Sequence, residues 1–396
     1  MFIMPANIWL LTFIQALVMC IGTMLVLSGG VLGAQLAPVP SLATLPVALM
    51  IVGVATGVVP ITRLMQRFGR KPIFISLSLL ACAICFLISW AIGQASFLLL
   101  CMSTFMLGLC SAGFQQIRFA AMESVSTELM PKAASTVLLG GLVAAFLGPE
   151  LVTLGNAFIA REFVGAFYLM AGLLLICSLL FSRIKNTHAV SLPSQTAARP
   201  LKLIAQQPIF ILAVSSSVVG YALMSFIMTA TPVHMHVIEH HSLLHTKWVI
   251  QSHVFAMFFP SLFSGWLISK LGVNNVIFMG IGAYLLTILI GFMDNQLVNY
   301  WLALVLLGIG WNFLFVGGTV LLAQTYRPEE RFKVQGLNEF LVFSCQALAA
   351  LSAGIMLSLF GWQGLLALSL FIVLFLVCVL LLQGAKARSR TNSKVI

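Results

Sequence analysis

Apolar residues in this chain fall into runs of about 20 separated by short polar stretches, the length needed to cross a hydrocarbon core. The runs do not alternate at every second residue, as the strands of a membrane barrel would. Backbone groups inside lipid must be bonded within their own segment, so the pattern predicts helices. Twelve spans follow, at 7–33, 43–63, 73–92, 96–119, 134–160, 163–183, 208–233, 247–269, 275–293, 298–325, 335–358 and 362–383. They divide the chain into a six-helix bundle (1–183), a polar connector (184–207), a second six-helix bundle (208–383) and a basic tail (384–396). The first run is too long for the apolar core of a signal peptide and follows no basic residue, so it is expected to stay as a span.

Composition agrees with this reading. The 396 residues are 61% hydrophobic and 7% charged, with a mean hydropathy of +1.10, whereas soluble domains carry about 25% charged residues. The net charge of +11 would by itself admit a nucleic-acid partner. Its placement argues otherwise. With the N-terminus in the cytoplasm, eighteen of the twenty Lys and Arg residues fall on cytoplasmic loops, span ends or the tail, and only Arg161 and Lys247 fall outside. That bias is the positive-inside rule, and it predicts cytoplasmic termini for an all-α, multi-pass membrane protein. The charges then orient the chain and meet anionic lipid. All eight cysteines lie in predicted spans and read as small packing residues, the Cys82-Ala-Ile-Cys85 spacing included.

Thr62-Arg63-Leu64-Met65-Gln66-Arg67-Phe68-Gly69-Arg70-Lys71-Pro72 gathers four cations into nine residues between spans 2 and 3. Gly265-Trp266-Leu267-Ile268-Ser269-Lys270-Leu271-Gly272 echoes it between spans 8 and 9, with Gly69 and Gly272 lying 203 positions apart. An echo at half the chain length marks an internal duplication. Two sets of six spans with these turns resemble the major facilitator superfamily of secondary transporters, whose signature in this loop reads Gly-x-Leu-x-Asp-Arg-x-Gly-Arg-Lys. Leu64, Arg67, Gly69, Arg70 and Lys71 match it, while Thr62 and Gln66 replace the Gly and the Asp. Gly148-Pro149 resembles part of the span 5 signature of drug antiporters, with Glu150 in place of the following Gly. Gln116-Ile117-Arg118-Phe119-Ala120-Ala121 and Gln335-Gly336-Leu337-Asn338-Glu339-Phe340 resemble a poorly characterised bacterial branch of the superfamily.

The resemblance implies two pseudo-symmetric bundles and alternating access to a midplane site lined by spans 1, 4, 7 and 10. Polar residues inside apolar helices are costly unless they face protein or water. On that ground Gln15, Gln115, Gln116, Arg118, Tyr221, Trp311 and Asn312 are expected at the solute site. Arg118 would attract an anionic group, or snorkel from the end of span 4. Glu150, deep in span 5, is expected to carry a coupling proton, since burial raises a carboxyl pKa. For gating, the candidates are Arg67, Gly69, Arg70, Lys71, Gly272 and Glu339. The resemblance places Glu339 beside the basic turn, which predicts a pair with Arg67 or Arg70. His234, His236, His240, His241, His245 and His253 cluster around the outer ends of spans 7 and 8. They read as a solvated loop, a pH sensor or, at His234, His236, His240 and His241, a metal site.

The expected protein is a monomeric secondary transporter of a small organic solute, coupled to protons, with import ahead of export because the antiporter signature is incomplete. No cofactor is implied. A membrane-embedded enzyme would need a nucleophile and base, or metal ligands, meeting inside the bundle, and no span holds both. A transporter-shaped sensor is the other rival.

Overall fold

In the computed structural model, which describes residues 5–125, 133, 136–184, 199–327 and 330–392, the apolar runs are helices. Spans 1 to 7 are Ala6–Leu36, Pro40–Phe68, Arg70–Gly93, Phe97–Glu123, Thr136–Phe158, Val164–Phe181 and Pro208–Ile238. Span 8 is a bent pair, Leu243–Leu262 and Ser264–Leu271, and spans 9 and 10 are Val273–Gly291 and Leu297–Ala323. Spans 11 and 12 run as one helical stretch, Arg331–Asn392, turned at Gly361. With that turn counted and the bent pair joined, the described residues hold the twelve expected spans. Most of the connector and the last residues of the tail lie outside the described residues.

Gly69 ends span 2 with φ 84° and ψ 161°, and Gly272 ends span 8 with φ 82° and ψ 152°. A residue with a Cβ is disfavoured in that region. The repeated sequence therefore folds into a repeated corner. Both corners lie at one end of the bundle, called here the basic end.

Close helix contacts depend on small residues, as expected where lipid is as apolar as the side chains. A Cβ at position 53 would lie 2.2 Å from the Phe105 carbonyl oxygen, and one at 108 would lie 2.0 Å from that of Met50, so spans 2 and 4 touch through backbone. Buried apolar residues form one cluster from Ile8 to Ile184 and another from Ile204 to Leu380, joined by Ala43 and Ala145. Between them the far end is closed. A Cβ at position 354 of span 11 would be 2.4 Å from Thr44 Oγ1, and one at position 30 of span 1 would be 3.2 Å from Val233 of span 7.

Two expectations change. Span 7 continues past its predicted end through a π-helical turn, Val233–Ile238, following Pro232. Span 8 is not one straight helix. It passes through a 3-10 turn at Phe259–Leu262 and bends by 55°. Pro260 explains the break, because it has no N–H and its ring collides with the preceding turn.

Candidate functional site

In the second bundle an aromatic wall faces the first. Tyr221 of span 7 meets Trp311, Phe315 and Phe343 edge-on, with centroids 5.1, 5.3 and 5.9 Å away. Trp311 stacks on Phe315 at 5.2 Å and meets Phe258 of span 8 at 6.0 Å. Across the boundary a Cβ at Gly141 would lie 2.9 Å from the Phe258 ring, and one at Gly140 would lie 2.8 Å from the backbone of Ala16, next to Gln15. Spans 1, 5, 8 and 10 therefore converge here. Gln15 Oε1 and Trp311 Nε1 are buried without a hydrogen-bond partner. Buried polar atoms left open in this way call for an explanation. Tyr221 and Trp311 thus share one wall, Gln15 lies on span 1 beside the Gly140 contact, and Phe258, Phe315 and Phe343 join the set. Phenylalanine also fills lipid-facing surfaces, so nothing in the sequence singled those three out.

Asn312, the next residue, has its Oδ1 buried without a partner, but its amide nitrogen is engaged. Its amide donates at 2.7 Å to the Met257 carbonyl and at 2.7 Å to Ser261 Oγ, at the break in span 8. Gln115 is exposed, and buried Gln116 accepts a 3.5 Å bond from Arg70. Gln116 and the Asn312 amide thus make helix contacts.

At the basic end the charges pair differently from expectation. Arg70 grips Glu123, at the end of span 4, through two bonds of 2.8 and 2.6 Å. A bidentate guanidinium–carboxylate pair of this kind is strong and directional. Arg70 is thereby occupied, and Arg67 lies over the Phe68 ring. Glu339 turns instead to Arg118, Nη2 to Oε1 2.6 Å, joining span 4 of one half to span 11 of the other. The pairing of Glu339 with the basic turn is therefore corrected: Glu123 lies nearer that turn. Arg118 holds a carboxylate of its own chain, yet its Nε is buried without a partner. Tyr221 lies within electrostatic range of both members of the pair.

Glu150 is likewise not an isolated buried acid. Lys247 of span 8 donates to it at 2.5 Å, and its side chain is 43% exposed while that of Lys247 is 7% exposed. Gln251, one turn along, donates to the Phe146 carbonyl at 3.1 Å. The far-end seam between spans 5 and 8 thus has an ion pair and a polar rung. Lys247 was one of two cations that broke the topological charge rule, and that exception was the available signal. The other, Arg161, donates to the Ile92 carbonyl at 2.7 Å.

The basic end carries one more pair. Arg199, in the connector, binds Glu330 through Nε at 2.8 Å, Nη2 at 2.7 Å and its backbone N–H at 2.9 Å. These bonds hold the Glu330 carboxyl well below the usual carboxylate range and raise Arg199.

The histidines do not converge on a metal. His234 shares a 2.5 Å hydrogen bond with the Tyr300 hydroxyl and stacks on Trp362 at 4.7 Å. His236 and His241 bond to the backbone carbonyls of His241 and Asn295, each at 2.8 Å. His240 is exposed, with φ 55°. Among the described residues no group of three His, Cys, Asp or Glu is placed to hold an ion.

Residues 8–293 and 221–395 match the family model of the Major Facilitator Superfamily. The riboflavin transporter RfnT of Brucella anthropi is 37% identical over 362 residues, covering 90% of each chain. An uncharacterised MFS-type transporter of Bacillus subtilis, YddS, is 29% identical over 79% of this chain and 76% of its own. Among solved structures, an inward-facing, unoccupied bacterial homologue of the human lysosomal transporter Spinster superposes with a TM-score of 0.74 at 14% identity, covering 96% of both chains. The nucleoside transporter NupG superposes with a TM-score of 0.70 at 14% identity, over 95% of this chain and 99% of its own.

Proposed function

The chain belongs to the major facilitator superfamily of membrane transporters, and from that premise we propose that it imports a planar, uncharged aromatic solute of the riboflavin type. A multi-pass transporter of this family moves a small molecule; the finer identity rests on one observation. The wall of Tyr221, Trp311, Phe315 and Phe343 offers stacking faces without a net charge, because the nearest ionised groups, Arg118 and Glu339, neutralise each other. Aromatic contacts add about 0.5–1.5 kcal/mol beyond buried area. The open polar atoms on Gln15 and Trp311 would read the heteroatoms of a ring that apolar contacts alone would not distinguish. The 37% identical riboflavin transporter supports that chemistry.

In this reading the basic end faces the cytoplasm, in keeping with the charge bias, and the chain works as a monomer. Solute reaches the wall after the far-end seam opens and leaves after Arg118 and Glu339 part. Glu150 is the coupling carboxylate: a proton on it would release Lys247 and loosen the far end. Coupling thus acts through the seam rather than through an isolated acid.

The test is a titration of purified protein with riboflavin, read by quenching of flavin fluorescence, beside uptake in cells that lack their own riboflavin importer. Wild type should quench, and Trp311→Ala should weaken binding by about tenfold or more, the equivalent of roughly 1.4 kcal/mol. Absence of binding and uptake by wild type would overturn the substrate while leaving the family in place.

A further inference from the structure

The break in span 8 has a built geometry. Pro260 cannot donate to the Ala256 carbonyl, so the helical ladder stops there. The next carbonyl, that of Met257, is taken by the Asn312 amide, which also holds Ser261 Oγ on the far side of the proline, both at 2.7 Å. One side chain from span 10 therefore bridges the two faces of the break. Above it span 8 is fixed to span 10: His253 Nδ1 bonds the Leu304 carbonyl at 2.7 Å, and a Cβ at Gly308 would lie 2.6 Å from the His253 carbonyl. Below it the short arm Ser264–Leu271 buries Ser264 alone. Trp266 and Leu271 are exposed, and a Cβ at Gly265 or Gly272 would meet nothing within 4 Å. Beside the elbow lies an apolar cleft of about 450 Å³, lined by Phe255, Phe259, Pro260, Phe263, Ile309 and Phe313. The cleft opens at the surface, where exposed Phe259 and Phe263 line it, so its walls can shift as the bend changes.

We propose that Asn312 is the pin of a hinge in span 8 and a positioning residue for the aromatic wall. The pinned atoms and the wall are neighbours in both chains of contact: Met257 precedes Phe258, and Trp311 precedes Asn312. Fixing Met257 to Asn312 therefore fixes Phe258 against Trp311, at the point where Phe258 faces Gly141 of the other half. A solute that settles on Trp311 displaces Phe258, loads the pin and swings the arm that ends in the Gly272 corner. Asn312 does not touch the solute. It converts occupancy of the wall into movement at the basic end. Only the solute measurements below rest on the proposed substrate.

The hinge is tested in full-length protein by spin-label distances between Ser269→Cys on the arm and Gln324→Cys at the end of span 10, with Cys345→Ser and Cys378→Ser removing the less buried native thiols. This readout needs no solute, so it decides the hinge even if riboflavin proves to be the wrong ligand. Native Asn312 should give one narrow distance. Asn312→Ala, and Asn312→Asp, which keeps the shape but loses the donor, should broaden it. Pro260→Ala, which restores a donor to the Ala256 carbonyl, should give a narrow distance at a new, straighter value, both alone and combined with Asn312→Ala. In proteoliposomes Asn312→Ala should lower riboflavin turnover by about tenfold with the binding constant changed by less than about threefold. Unaltered distances in Asn312→Ala and Asn312→Asp, or in Pro260→Ala should the former not fold, would overturn the hinge. Binding weakened about tenfold with unaltered distances would make Asn312 a direct solute contact instead.

Discussion

Spans 2 and 8 occupy equivalent places in the two halves, end in the same glycine corner and each contain a proline, yet only span 8 breaks. Pro60 sits inside an uninterrupted helix, Leu45–Phe68, whereas Pro260 opens a 3-10 turn and a 55° bend. The neighbours account for the difference. Gly53 and Gly57 press span 2 against span 4, and beyond its corner Arg70 is clamped to Glu123 at the end of span 4. Below Pro260, among the described residues, no ion pair holds the arm. Lys270 lies over its own Trp266 at 4.7 Å, and Glu330, a described acid beyond the end of span 10, is engaged by Arg199 of the connector. A proline removes one hydrogen bond; packing on either side decides whether the loss becomes a joint. One half thus carries a fixed strut and the other a movable one.

The strongest way to break this contrast is to release the strut. Glu123→Ala leaves Arg70, only 11% exposed, without its counter-charge. Removing one partner of a buried pair costs about 3–5 kcal/mol, so the melting temperature in detergent should fall sharply, whereas Lys270→Ala should change it little. Next in size is Gly53→Ala. Its methyl group would meet the Phe105 carbonyl at 2.2 Å, and overpacking of this kind costs about 1–3 kcal/mol. Gly265→Ala, in open space, should be neutral or stabilise the arm by about 0.4–1 kcal/mol through the unfolded chain. Gly69→Ala and Gly272→Ala should then agree, at about 1–3 kcal/mol each, because their corners share one conformation. A large difference between them would show that the two corners are not equivalent.

The smallest effect expected concerns acid. Because the folded-state pKa of Glu330 is depressed, its bond to Arg199 contributes stability above the unfolded carboxylate pKa, about 4.3, and loses it as pH falls below that value. Melting curves recorded between about pH 6 and 3 should show a decline in wild type that is shallower in Glu330→Gln. Equal slopes would remove the clamp that keeps Glu330 from serving span 8 as Glu123 serves span 2.

Much of the fold was legible because the bilayer imposes it: run length gives the spans, and the echo of Gly69 at Gly272 gives the duplication. Tyr221, Trp311 and Gln15 were legible as polar or amphipathic side chains inside apolar helices. Pairing was not. Arg70 with Glu123, Arg118 with Glu339 and Glu150 with Lys247 each depend on the rotation and height of two helices, which no single-chain pattern encodes. The two prolines looked alike in sequence, and only Gly53, Gly57 and Asn312, read as contacts, separate their fates. Asn312 was visible as a polar residue in an apolar span, but its partners at Met257 and Ser261 became apparent only with the bend.

The two ion pairs across the halves have opposite orientation. The first half supplies Arg118 at the basic end and Glu150 at the far end, and the second supplies Glu339 and Lys247 in return. Each half therefore brings one charge of each sign to the boundary. In the rocking motion proposed above each pair would part across the boundary, and because its two charges cancel the pair itself would carry no net charge through the electric field. A unit charge crossing the bilayer would gain or lose about 2.3 kcal/mol per 100 mV. If the solute is neutral and Glu150 carries the coupling proton, as proposed above, the membrane potential would act on uptake through that proton.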